Sequence, residues 1–203
     1  MILSHIQQGS DEWFDARCGV VTASNFKAVM TGGSGKTRRS YMRRLYEEIK
    51  TGRPTPPSFQ SAAMERGCNL EPRARAAYQA ETNQDVREVG IVYLCNERRV
   101  AASPDGLIGE EGGLEIKCPL PHNHEKYLRD GGVPRQYIPQ IQGNLWVTGR
   151  QWWDFVSYAP EMAPAYRLMI RRIYRDESYI AHLRREVERF VQELDEALET
   201  RFH

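Results

Sequence analysis

At 203 residues, with 40% hydrophobic and 27% charged side chains, the chain has the composition of one globular domain with a sizeable core. A formal net charge of +1 excludes a strong basic field over the whole molecule and leaves only a local basic surface, for which Arg38, Arg39, Arg43 and Arg44 are candidates. Cys18, Cys68, Cys95 and Cys118 form no CxxC pair, no apolar run reaches the length of a membrane span, and no signal-peptide pattern opens the chain; together these point to a cytoplasmic protein without a zinc site, disulfide framework or membrane contact.

In chain order, "GSDEWFDARCGVVTASNFKAVM" predicts two short helices with a turn between them. Ser10 caps the first, Asp11 and Glu12 favour its positive end, and Gly19 closes it; Thr22 or Ser24 caps the second. "TGGSGKTRRS" reads as a basic loop and "YMRRLYEEIK" as a helix, broken by "TGRPTPPSF". A helix from Ser61 to Glu81 contains Pro72 and is expected to kink or restart there. "EVGIVYL", "RVAASPDGLI" and "GLEIKCP" predict neighbouring strands. "HNHEKYLRD" and "RQYIPQIQGNLWVTG" return to helix, and "WWDFVSYAP" and "AYRLMIRRIYR" to strand. The tail sets Ile180, Leu183, Val187, Phe190, Leu194 and Leu198 or Phe202 near one helical face, packed on its own domain or on another subunit. No repeat or linker divides the chain, so residues 1–203 form a single α/β domain.

The chemistry concentrates in "SPDGLIGEEGGLEIKCP". Asp105 leaves one strand, Glu115 lies on the next, and a Gly-rich hairpin lets them converge. Glu115 and Lys117 share a face because side chains alternate along a strand, while Leu114, Ile116 and Cys118 point into a core. Two carboxylates and a backbone carbonyl suit a hard cation, and a lysine beside them can orient or deprotonate a water. The same residues also fit an aspartate in a type I turn and a surface Glu–Lys pair, and spacing alone does not separate the two readings.

Asp105 followed by Glu115-Ile116-Lys117, with a proline before the aspartate, resembles the core motif of the PD-(D/E)XK nucleases. "DEWFDARCGVVTAS", "MERGCNLEPRARAAY", "SPDGL", "LEIKCP" and "PQIQGNLWVTG" extend the resemblance to the phage lambda exonuclease and YqaJ-like viral recombinase family. That resemblance implies a restriction-endonuclease-like mixed β-sheet flanked by helices. It implies Mg²⁺-dependent 5′→3′ digestion of one strand of linear duplex DNA, leaving 3′ single strands for recombination. Two ions per site, Mn²⁺ as an alternative metal, a ring-shaped homotrimer and a single-strand-annealing partner come with it. Carried over residue by residue, Asp105, Glu115, Glu71 and the Ile116 carbonyl hold metal, Lys117 handles the attacking water, and Gln140 is the active-site glutamine, with Gln142 pointing elsewhere. Arg17, Ser24 and Ser103 match a 5′-phosphate pocket, and Met64 an apolar wedge at the terminal base pair.

"GGSGKT" looks like a phosphate-binding loop, but the full pattern needs a glycine where Met30 stands, and the loop follows a helix. Lys36, Arg38 and Arg39 are therefore expected on the DNA backbone. An endonuclease of the same fold and a DNA-end-binding or assembly module are the alternatives.

Overall fold

Pro104 divides what reads in the sequence as one strand. The computed structural model describes residues 3, 5–31, 35–55 and 62–200, and in it β4 (Val100–Ala102) and β5 (Gly106–Ile108) belong to different sheets. Proline has no N–H to give a ladder, so pairing stops and the chain changes direction at Ser103-Pro104-Asp105. "EVGIVYL" is likewise shorter than expected: only β3 (Val92–Tyr93) pairs there. Gly90 lies against the Ile6 carbonyl, where an added Cβ would sit 2.3 Å from the oxygen.

One sheet has the order β1-β4-β3, with β1 (Val21–Thr22) parallel to β4 and β3 antiparallel to it. The other has the order β2-β5-β6-β7-β8, with β2 (Val86–Arg87), β6 (Gly112–Lys117), β7 (Trp152–Tyr158) and β8 (Leu168–Tyr174). Its β6–β7 pair is parallel, which requires a crossover; α5 (Pro121–Asp130) and α6 (Ile138–Thr148) supply it. Gly113 sits beside Trp153, whose ring leaves no room for a side chain there: a Cβ would come within 2.2 Å. This is the mixed α/β architecture expected.

The two faces of β6 do different work. Leu114, Ile116 and Cys118 pack with Ala74 and Tyr78 of α4 (Ala62–Thr82). Glu115 and Lys117 emerge on the opposite face. α4 runs through Pro72 as one helix rather than restarting. The proline removes one backbone donor, and the carbonyl it leaves over belongs to exposed Cys68.

The N-terminal region differs from expectation. α1 (Asp11–Ala16) is capped by Ser10, whose Oγ accepts the Trp13 N–H at 3.3 Å, but it ends before Gly19. Gly19 (φ +69°) turns the chain into β1, and neither Thr22 nor Ser24 makes a side-chain cap for the short turn and α2 (Phe26–Met30) that follow. α3 (Lys36–Thr51) begins inside the stretch read as a basic loop, of which residues 32–34 lie outside the described residues.

α7 (Glu177–Glu199) starts at Asp176, whose carboxylate accepts the Tyr179 N–H at 3.0 Å. Ile180, Leu183, Val187, Phe190 and Leu194 are all buried, and α7 packs against α2, α3 and α6. Its apolar face is thus covered by its own domain; Phe202 lies outside the described residues. Arg38 corrects a second expectation. It is only 6% exposed, pairs with Glu193 at 2.7 Å and lies over the Phe190 ring, so it ties α3 to α7 and does not face outward toward DNA.

Candidate active site

The chain break at Pro104 delivers Asp105 to the edge of β6. Register along the hairpin pairs Gly106 with Leu114, so Asp105 arrives beside Glu115, and its Oδ2 accepts the Ile116 N–H at 2.6 Å. Burial pushes the Asp105 carboxyl well above the usual range; Glu115 and Glu71 push it further, and Lys117 and the Ile116 N–H pull it back.

Glu115 is fully buried. Its Oε1 accepts from Lys117 Nζ at 2.5 Å and from Gln140 Nε2 at 2.6 Å, and its Oε2 from Asn144 Nδ2 at 3.2 Å. Burial pulls the Lys117 pKa down, but Glu115 and Asp105 together outweigh it and hold the side chain as an ammonium, 5.5 Å from the Tyr137 ring centre. Glu71, on α4, pairs with Arg75 at 2.6 Å, and Arg75 also donates to the Asp105 carbonyl at 3.3 Å. Burial raises the Glu71 pKa, Arg75 opposes that, and Glu115 adds to it. Gln142 points away, donating to the Tyr174 carbonyl and accepting the Asp176 N–H.

Asp105, Glu115, Lys117, Glu71 and Gln140 therefore form one electrostatically linked group. Burial is the main reason that Asp105 and Glu71 both resist ionisation, and the negative charge of Glu115 adds to it. Among the described residues, no three carboxylates, imidazoles or thiols gather closely enough to enclose an ion by themselves. An oxygen-only donor set of one or two carboxylates nevertheless suits Mg²⁺, which keeps several waters and takes the rest of its shell from phosphate.

Two residues before Asp105, Ser103 belongs to a second cluster. Arg17 donates from Nη1 to Ser103 Oγ at 2.8 Å and from Nη2 to Thr22 Oγ1 and Ser24 Oγ, each at 3.3 Å. Its guanidinium lies 4.2 Å from the Trp13 ring centre, and Trp13 Nε1 also reaches Ser103 Oγ at 3.2 Å. Asn25 Nδ2 bridges Thr22 and Ser24. Burial lowers the Arg17 pKa to about 10, which still leaves it cationic at neutral pH. Among the described residues no carboxylate pairs with it, so a cation ringed by hydroxyls and an amide is ready to take an anion.

Lys36 and Arg39 are exposed at the start of α3, and Met64 is 54% exposed about two turns before Glu71 on α4. Among the described residues, Lys36 and Arg39 make no hydrogen bond or ion pair to either cluster. Thr22, Asn25, Trp13, Tyr137 and Asn144 were not anticipated from the sequence. A signal existed for Asn144, which stands one helical turn after Gln140 and hence on the same face.

The chain has counterparts among known proteins. The chain is 40% identical to an alkaline exonuclease, LHK-Exo, from Laribacter hongkongensis, with a TM-score of 0.87 over 94% of this chain and 95% of that one. A structure of LHK-Exo in complex with dAMP gives 41% identity, a TM-score of 0.88 and the same coverage. A phage-related exonuclease from Haemophilus somnus 129PT shares the fold at 13% identity, with a TM-score of 0.67 over 89% of this chain and 96% of that one. A shorter match is ExoD of Escherichia coli (strain K12), 37% identical over 66 residues, or 32% of this chain and 75% of that protein. Residues 12–151, which span both clusters, match the model of the YqaJ-like viral recombinase domain, and the chain belongs to that family.

Proposed function

We propose that this protein is a metal-dependent exonuclease that degrades one strand of linear double-stranded DNA in the 5′→3′ direction. The observation that carries this reading is the separation of the two clusters by a single residue, Pro104. Ser103 lines the anion pocket and Asp105 the carboxylate group, so their Cα atoms are at most about 7 Å apart, on the scale of one nucleotide. A terminal phosphate held by Arg17, Ser24 and Ser103, with Thr22 and Asn25 supporting them, would set the next phosphodiester beside Asp105 and Glu115.

Asp105, Glu115 and the Ile116 carbonyl would hold one Mg²⁺, or Mn²⁺, and Glu71 would stand near a second. The bound metal would polarise the phosphoryl oxygens and lower the pKa of a bound water. Lys117 Nζ, kept as an ammonium, donates to and orients the attacking water. Gln140 holds Glu115 Oε1 from the other side. Each cut leaves a new 5′-phosphate, which returns to the Arg17 pocket, so the same pocket favours successive cuts. Lys36 and Arg39 lie on exposed helix surface suited to backbone phosphates, and exposed Met64 suits a wedge against the terminal base pair.

A trimeric ring around DNA and a single-strand-annealing partner for the 3′ strand complete the reading. Digestion of a linear duplex labelled at one or the other 5′ end, with Mg²⁺ and then with EDTA, tests the activity and its polarity. Loss of the 5′ label first, abolished by EDTA, is expected; internal cleavage or end binding without cleavage would overturn the reading. A solution mass tests the ring.

A further inference from the structure

Glu115 has no exposed surface, yet its two oxygens are supplied unequally. Oε1 accepts two short bonds, from Lys117 at 2.5 Å and Gln140 at 2.6 Å. Oε2 accepts one, from Asn144 at 3.2 Å. Asn144 is itself 1% exposed, and its backbone carbonyl accepts the Thr148 hydroxyl at 2.6 Å. A carboxylate only accepts, so the Asn144 amide must face it through its NH₂ group; chemistry settles the orientation.

Each carboxylate oxygen has two lone pairs. Lys117 and Gln140 take both on Oε1, and Asn144 takes one on Oε2. The place left for a further positive partner is therefore the second lone pair of the oxygen that Asn144 holds. We propose that Asn144 is a positioning residue of the metal site: it fixes the ligating oxygen of Glu115. Gln140 and Asn144, one turn apart on α6, then grip the two oxygens of one carboxylate from a single rigid helix. The inference rests on the reading of Glu115 as a metal ligand. It differs from a packing role, which would act on stability and leave metal affinity alone.

The test titrates Mg²⁺ alone into the DNA-free protein by calorimetry, beside the melting temperature without metal and the Mg²⁺ concentration that half-saturates digestion. Asn144→Leu keeps the branched outline of the side chain, at a larger volume, and removes the donor. Hydrogen-bond partners of metal ligands are typically worth ten- to a hundred-fold in metal affinity, so the Mg²⁺ Kd of this variant should rise by about that factor. The half-saturating Mg²⁺ should rise in step, and excess Mg²⁺ should restore most of the digestion rate. Asn144→Ser, with a shorter donor, should lie between wild type and Asn144→Leu, and it decides the matter should the leucine variant fail to fold. A folded variant with the wild-type Mg²⁺ Kd overturns the inference, whatever its melting temperature. Wild-type protein that takes up no Mg²⁺ sinks the metal reading itself, a result separable from variants that merely match wild type.

Discussion

Asp105 accepts a hydrogen bond from the backbone N–H of Ile116 at 2.6 Å, which fixes the carboxylate to the strand that carries Glu115 and Lys117. The Asp105 side chain is thus tied to the backbone of the strand that carries Glu115, which limits how far the two acids can move apart.

Lys117→Ala should lower the cleavage rate by about 10²- to 10⁴-fold, the usual contribution of a placed proton-handling group, and change DNA-end binding by only a few-fold. Single-turnover cleavage and an equilibrium binding assay measure the two separately. Near-normal cleavage would remove Lys117 from the chemistry. Asp105→Asn should behave differently and weaken Mg²⁺ binding itself, as calorimetry would report.

Arg17→Ala should slow digestion of 5′-phosphorylated ends by roughly ten- to a hundred-fold, because a charge-assisted hydrogen bond is worth roughly 1.5–3 kcal/mol. Ends bearing a 5′-hydroxyl should change little, so the two rates converge. The run per binding event should also shorten, since the phosphate is recaptured after each cut. Timing both substrates under a trap against rebinding decides this; an intact phosphate preference would place the pocket elsewhere.

Phe190→Asp or Leu183→Asp should destabilise the domain itself by at least about 3 kcal/mol. Both side chains are fully buried between α7 and the helices beneath it, and Phe190 stacks on Tyr41 with ring centres 5.5 Å apart. The check is thermal unfolding at several protein concentrations. A loss of stability independent of concentration is expected, because the helix packs on its own chain; unchanged melting would contradict the burial.

His124 gives the fold an acid-sensitive point. It is buried on α5, its Nε2 donates to the Tyr166 carbonyl at 2.8 Å, and its Nδ1 therefore accepts from Ser157 Oγ at 2.7 Å. Burial lowers its pKa below the ordinary 6.5, against the opposing pull of the Tyr166 bond. The unfolded chain thus takes up a proton first, so stability is whole above about pH 6.5 and falls as pH drops below it. His124→Gln should melt lower at neutral pH but lose less on acidification. Parallel melting curves from pH 7.5 to 5 would show that folding does not shift the His124 pKa.

The sequence alone supplied the residues of the central cluster and much of the fold's order. "SPDG" and "LEIK" name the acids and the lysine, alternation puts Glu115 and Lys117 on one face, and the apolar spacing of Ile180 to Leu194 marks the buried side of α7. These signals are legible because period-two and period-3.6 patterns depend on local geometry alone. What joins distant segments was decided by the tertiary structure. Arg17 meets Ser103 from far along the chain, and Asn144 reaches Glu115 across the β6–α6 packing. Arg38 looked like a DNA-facing charge until α7 brought Glu193 and Phe190 against it. The change of sheet at Pro104 was likewise hidden: a proline announces a break in pairing, but only the partners available in space decide to which sheet each half belongs.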